Sequence, residues 1–173
     1  SGAIEHAWNT SWGVSTRMVG GLIMTHSDDK GLRTPPKLAP VEIVIVPIWK
    51  TDEDLAKMRE VAQRIVADAQ AWSGRGEDRL RFHIDDREGI RPGEKYYHWE
   101  LRGIPLRLEI GPRDLANNQC MVARRDTGEK TAMSLDGLPH ALAELLATMQ
   151  RDMFAAALAR REANSIREPI TYD

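Results

Sequence analysis

The sequence predicts a three-layer α/β domain built on a mixed, mainly parallel sheet, and three observations predict it. Residues 41–48 (VEIVIVPI) are a nearly continuous, β-branched apolar run, the pattern of a strand covered on both faces. Residues 52–72 place Leu55, Met58, Ala62, Ile65, Val66, Ala69 and Trp72 on one helical stripe. Beyond them, strand-like and helix-like stretches alternate to residue 163, and only Asp126-Thr127-Gly128 is short enough for a hairpin turn.

The elements follow in order. Residues 5–10 have the aromatic and polar character of a short strand, and Val14, Met18, Gly21, Leu22 and Thr25 then recur at helical spacing. Residues 31–40, with Pro35, Pro36 and Pro40, form the clearest boundary, because successive prolines hold a chain extended and disfavour helix. Thr51 or Asp52 suits the start of the 52–72 helix, and Gly74 and Gly76 suit its end. Residues 80–84 are short enough for a second strand. Pro92 fits the first turn of a helix reaching Leu101, where its missing amide costs nothing, and Gly103 ends that helix. In residues 104–110, Ile104, Leu106, Leu108 and Ile110 alternate with Pro105, Arg107 and Glu109, as in a strand half covered by core. Gly111-Pro112 leads into a short helix through Leu115, residues 119–125 and 130–135 form the hairpin, and residues 138–163 form a long closing helix.

Lys and Arg total 24 against 26 Asp and Glu, a net charge of −2, so general electrostatic attraction to nucleic acid is disfavoured and any such recognition has to be local. Cys120 is the single cysteine, which rules out a disulfide within this chain and a four-cysteine zinc site, and suits a reducing cytosol. No apolar run approaches the roughly 20 residues of a membrane span, and the first residues lack a basic-then-apolar leader. A cytoplasmic protein without a membrane partner is the expectation. His6, His83, His98 and His140 are scattered among different elements and read as packed or surface residues; His26, Asp28 and Asp29 lack the second histidine or cysteine of a metal site and read as a solvated loop.

Residues 10–32, TSWGVSTRMVGGLIMTHSDDKGL, carry the most chemistry. Gly13 permits close backbone approach, the Ser15 and Thr16 hydroxyls suit free helix amides, and the Arg17 guanidinium suits phosphate oxygens. An ordinary capped helix with a surface arginine accounts for the same spacing.

This stretch resembles motif 3 of class II aminoacyl-tRNA synthetases, in the form found in prolyl-tRNA synthetases of the archaeal and eukaryotic type. The matching residues are Thr10, Ser11, Trp12, Gly13, Ser15, Thr16 and Arg17, then His26, Asp28, Asp29, Gly31, Pro35 and Pro36. A second block, DDREGIRPGEKYYHWELRGIPLRLEIGPRDL at residues 85–115, resembles the anticodon-binding domain of the same family. Ser27 stands where the family has glycine, and Leu32-Arg33-Thr34 replaces an apolar run; a serine fits a left-handed backbone poorly.

The resemblance implies a C-terminal portion of such an enzyme: the last strand and helix of the catalytic core in residues 1–34, a linker in 35–40, an anticodon-binding domain in 41–137, and a closing helix with the start of an extension in 138–173. It implies ATP contacts from Ser15 and Arg17, no catalytic residue acting covalently, no metal ligand here, and ATP with Mg2+ as requirements of the complete enzyme. Proline, ATP and tRNA(Pro) are its implied substrates, and a homodimer its implied assembly.

Every proline anticodon shares two guanines, whose Watson–Crick edges need both carboxylates and cations. Within the interleaved charges of residues 85–114, Arg87, Lys95, Glu100, Arg107 and Glu109 are the expected anticodon contacts, with Asp86 and Arg113 in reserve. Asp85-Asp86-Arg87 also reads as a turn whose carboxylates accept amides, or as a carboxylate pair for acid and base chemistry. Tyr96, Tyr97 and Trp99 cannot all face the core; Trp99 is the expected core residue, leaving a ring to stack on a base. A non-catalytic nucleic-acid or protein interaction module using the same fold is the alternative, and a small nucleotide-binding domain is weakened by the lack of a GxGxxG or phosphate-loop motif.

Overall fold

The computed structural model of the chain describes residues 2, 4, 6–73 and 79–166. Helix α1 (Arg17–His26) comes first, and after a 3-10 turn at Pro36–Leu38 the layered unit begins. It comprises β1 (Ile43–Pro47), α2 (Asp52–Ser73), β2 (Phe82–Ile84), α3 (Pro92–Leu101), β3 (Leu106–Ile110), α4 (Pro112–Ala116), β4 (Gln119–Arg124), β5 (Lys130–Ser134) and α5 (Leu138–Ala163).

The sheet runs β2-β1-β3-β4-β5. β1 pairs in parallel with β2 and β3 and is covered on both faces, so every one of its residues is buried, whereas β4 runs antiparallel to both β3 and β5. The sheet is therefore mixed as expected, with β4 reversed among four strands of one direction, and the hairpin at residues 126–128 supplies the antiparallel pairing at the far edge.

One face carries the main core. Ile43, Ile45, Leu106, Leu108, Ile110 and Val122 meet Met58, Ala62, Ile65 and Ala69 of α2 and Leu138, Leu142, Leu146 and Met149 of α5. The other face is covered only over β1, by Trp99 of α3 and Ile104 against Val44 and Val46. Three layers result, with the second face left open over the antiparallel half. Thr51 Oγ1 accepts the Asp54 amide at 3.2 Å and starts α2 as its sequence predicts. Trp72, placed by its spacing on the buried stripe, instead stands half-exposed and meets His140 of α5 edge-on at 5.8 Å.

Other expectations are corrected. Residues 6–10 form no strand: no other described strand lies beside them, and Trp8 and Trp12 are fully exposed. Glu5, at the start of that expected strand, lies outside the described residues, as do the Gly74 and Gly76 helix end and the extension beyond residue 166. The prolines do not keep the chain extended throughout, because Pro36 opens a 3-10 turn as proline readily does at a helix start. That segment is also tied down: Arg81 donates to the carbonyls of Ala39 and Pro36 at 2.9 Å each, and Gln150 accepts the Lys37 amide at 3.0 Å. Finally, the outer face of β3 is not simply solvated, because Glu109 is only 3% exposed.

Candidate nucleic-acid interface

The parallel half of the sheet directs the carboxyl ends of β1, β2 and β3 to one end, where the following loops begin at Ile48, Asp85 and Gly111. Ligands of open α/β sheets bind at such ends. Asp85 organises this one. Its amide continues the ladder to Ile45 O at 2.8 Å, while its carboxylate is 1% exposed. Trp99 Nε1 donates to it at 2.7 Å, and Arg87 grips both oxygens at 2.8 and 2.7 Å. Burial pushes the Asp85 carboxyl up, but the bonds from Arg87 and Trp99 outweigh it and hold the group down at about 2.

Lys95 Nζ donates to the Asp85 carbonyl at 3.1 Å and stands 4.4 Å over the Trp49 ring. Desolvation lowers its pKa despite the nearby Asp85 charge. Asp86 and Glu88 are both taken by Arg59, at 2.7 and 3.2 Å. Each carboxylate of the turn thus holds an arginine, which leaves no free acid–base pair, and Asp85 also accepts the Arg87 amide at 3.4 Å, as in an amide-accepting turn. What faces outward is a hollow of about 190 Å³ bounded by Trp49, Ile90, exposed Arg91 and Pro92, with buried Lys95 behind it and exposed Arg113 on α4 beside the next strand end.

A second cluster lies on the open sheet face. Register sets Arg107, Ala123 and Lys130 abreast on β3, β4 and β5. Glu109 accepts from Arg107 at 3.2 and 3.1 Å and from Lys130 at 2.5 Å, and the Arg107 guanidinium covers the Tyr96 ring at 4.2 Å. Burial and the Glu109 charge drive the Tyr96 hydroxyl well above its ordinary value, so it stays a neutral donor.

The expected anticodon residues therefore do not converge on one point. Arg87 and Lys95 meet around Asp85; Arg107 and Glu109 lie on the sheet face; Glu100 sits toward the other end of α3, 3.8 Å from Lys30. Lys95 at 1% exposure and Glu109 at 3% hold their neighbours and present no open surface to a base. Tyr97 is the exposed ring of α3 and Trp99 its core residue. Trp49, Lys130 and Arg59 escaped sequence reading. Only Trp49, immediately beyond the apolar β1 run, carried a local sign of its place.

At the other end of the chain, Ser15 and Arg17 are exposed where α1 begins. Neither hydroxyl caps the helix, because Thr16 at φ −58° and ψ −16° is already helical; the Ser15 carbonyl instead accepts the Met18 amide at 3.0 Å. Ser27 is extended at φ −76° and ψ 165°, so it avoids the left-handed backbone. Asp28 is not solvated: Arg125 grips it at 2.6 and 3.0 Å and Arg33 at 2.6 Å, and the Arg125 hydrogen bond holds its carboxyl well below the usual range.

A mixed five-stranded sheet with helices on both faces, and a cationic, aromatic rim at the carboxyl end of its parallel strands, defines a layered α/β domain. The chain belongs to the anticodon binding domain family, whose model matches residues 42–145. Over nearly its whole length it is also similar to enzymes called proline–tRNA ligase: 49% identical to that of Chloroflexus aggregans and 46% to that of a Roseiflexus species, each over 98% of this chain. The enzyme of Chlorobium phaeobacteroides is 48% identical over 100% of it. In each case the chain spans only about a third of the relative, 34% of its length.

Proposed function

We propose that this chain is the C-terminal portion of a proline–tRNA ligase, reading the anticodon of tRNA(Pro) and contributing ATP contacts to a catalytic body supplied by the rest of a longer protein. The observation that carries the reading is 49% identity to such an enzyme across 98% of the chain, through both the α1 region and the layered domain. In the proposed division, residues 1–34 belong to the catalytic body, 35–40 join it to the anticodon unit of 41–137, and 138–173 close that unit.

In the reaction, a carboxylate oxygen of proline attacks the α-phosphorus of ATP, the bond to the bridging oxygen breaks, and pyrophosphate leaves. Arg17, exposed at the start of α1, would donate to the terminal phosphate and stabilise the departing charge, with Ser15 beside it. A terminal ribose hydroxyl of the tRNA then attacks the prolyl carbonyl and AMP departs. Mg2+ would accompany the nucleotide; Asp28 is committed to Arg125 and Arg33, so it is not a ligand here. At the anticodon, Arg87 and the Trp49 ring would meet the bases and Lys95 would hold their surroundings in place, while Arg107, held by Glu109 on the sheet face, and Glu100 would lie toward the stem. A homodimeric, cytoplasmic enzyme completes the proposal.

The test is a titration of the chain with two stem-loops, one carrying both anticodon guanines and one with adenines substituted. A loss of roughly 1–3 kcal/mol per replaced guanine is expected, the scale of one mismatched base. Equal affinities would remove base reading. In the full-length protein, Arg17→Ala should slow proline-dependent ATP–pyrophosphate exchange by about 10²–10³, and exchange within about twofold of the parent would remove Arg17 from the ATP site.

A further inference from the structure

A crevice of about 190 Å³ opens between the 28–33 loop, the C-terminal end of α3 and the β4–β5 hairpin. Two triads of the same form meet there, one wholly in its lining and the other entering it through Arg107 alone. In one, Asp28 lies between Arg125 and Arg33; in the other, Glu109 lies between Arg107 and Lys130. Each triad sets two cations on one carboxylate and so retains one positive charge. The pair at the rim, Lys30 and Glu100, is neutral in sum, and Arg124, although in the lining, is turned onto Asp126 and Asp152.

In the first triad the carboxylate of Asp28 is saturated by the ends of two guanidinium groups, and Arg33 Nε is buried with no hydrogen-bond partner. A buried N–H without an acceptor is costly, and an arriving anion oxygen would satisfy it. The small side chain of Ala123, between Arg107 and Lys130 in register, leaves room at the floor. Local surplus charge of this kind stands out in a chain whose net charge is −2.

We propose that this crevice is a preformed site for one backbone phosphate of bound RNA, held by Arg33 and Arg107 from opposite walls. The inference rests on the reading that the chain binds an anticodon arm. It adds a contact on the stem side of the domain, set apart from the strand ends that face the bases. A phosphodiester carries a single charge and only acceptors, which suits paired guanidinium donors and gives no sequence preference.

The chain is titrated with the guanine-bearing and adenine-substituted stem-loops at several salt concentrations, as wild type, Arg33→Gln and Lys130→Gln. Arg33→Gln should weaken both RNAs by a common factor on the order of ten, and each variant should flatten the slope of log affinity against log salt by about 0.9. Lys130→Gln, an exposed lysine on the other triad, keeps the test decisive should Arg33→Gln loosen the 28–33 loop. Unchanged affinity and slope in both variants overturn the site. Loss of guanine preference in wild type with the slope changes intact overturns base reading and leaves the phosphate site standing. The Arg33 Nε–H resonance separates the sources. A response to the stem-loop but not to equal inorganic phosphate supports the proposal; a response to inorganic phosphate alone, or to neither, overturns it.

Discussion

Trp99 Nε1 and the carboxylate of Asp85 share a 2.7 Å hydrogen bond in which both partners are buried, although Asp85 opens the loop after β2 and Trp99 lies within α3. The bond fixes α3 against the sheet, and Arg87 and Lys95 complete the shell around Asp85. A charge so enclosed is stable only while its partners remain, which ties the stability of the domain to the ionisation of one carboxyl.

Asp85 titrates at about 2 in the folded chain, against about 3.9 for an unfolded aspartate. Its contribution is fully present above pH 4 and is lost as pH falls from there through 2, because below both values folded and unfolded chains bind the same proton. The loss should reach about 2–3 kcal/mol. Asp28, also lowered by its arginines, adds to the same trend. Urea unfolding at pH 5, 4 and 3 should show stability falling with acidity in wild type and a shallower fall in Asp85→Asn. Identical pH dependence in the two proteins would contradict the assignment.

Asp28→Ala leaves Arg125, 6% exposed at its side chain, without its carboxylate. A cost of about 2–3 kcal/mol is expected for the uncompensated charge. The loosening should be local, since α1 and the following loop bury little. Amide exchange at Gly31 and Leu32 should accelerate while the amides of β1 keep their protection; unchanged exchange at Gly31 and Leu32 would show that the clasp does not hold the loop.

Gly103 and Gly128 both have left-handed backbones, at φ +72° and +75°. A Cβ at Gly128 meets open space, whereas one at Gly103 runs into the Leu32 carbonyl, the strand-like crossing that also pairs Thr34 N with Gly103 O at 3.2 Å. Gly128→Ala should therefore cost about 1 kcal/mol, the strain of the conformation alone, and Gly103→Ala at least about 2 kcal/mol. Thermal unfolding of the two variants side by side tests the order, and equal losses would refute the steric part.

Cys120 is fully buried in the main core, and burial pushes its thiol up to about 12. At pH 8 a thiol reagent should find almost no thiolate and no access, so labelling should proceed only through unfolding and rise with urea in step with loss of structure. Rapid labelling of the native chain at rates independent of urea would show that the β4 side of the core opens on its own.

Much of this architecture was legible before folding was considered. The run at residues 41–48 identifies β1 because no solvent-facing position interrupts it, and the capping residue and apolar stripe bound α2. The closing helix has the bounds its periodicity predicts, Leu138–Ala163. The blocks at residues 10–32 and 85–115 likewise mark the anticodon-binding family in the sequence itself. Yet the charged residues expected at the anticodon divide: Arg87 and Arg107 are accessible in part, whereas Lys95 and Glu109 are enclosed. A lysine and a glutamate on short polar stretches look solvated in sequence, and nothing local reveals a tryptophan ring or an opposing lysine above them.

By itself the sequence determined the order and type of the elements, because apolar spacing, caps and turn residues act within a few positions of one another. Tertiary structure alone decided which charges are neutralised and which remain available. Asp28 meets Arg125 across 97 residues, and Glu109 meets Lys130 only because the register of the hairpin sets β5 two strands from β3. Electrostatic pairing depends on distance in space and on burial, and both are settled only when the strands align and the helices pack on the sheet.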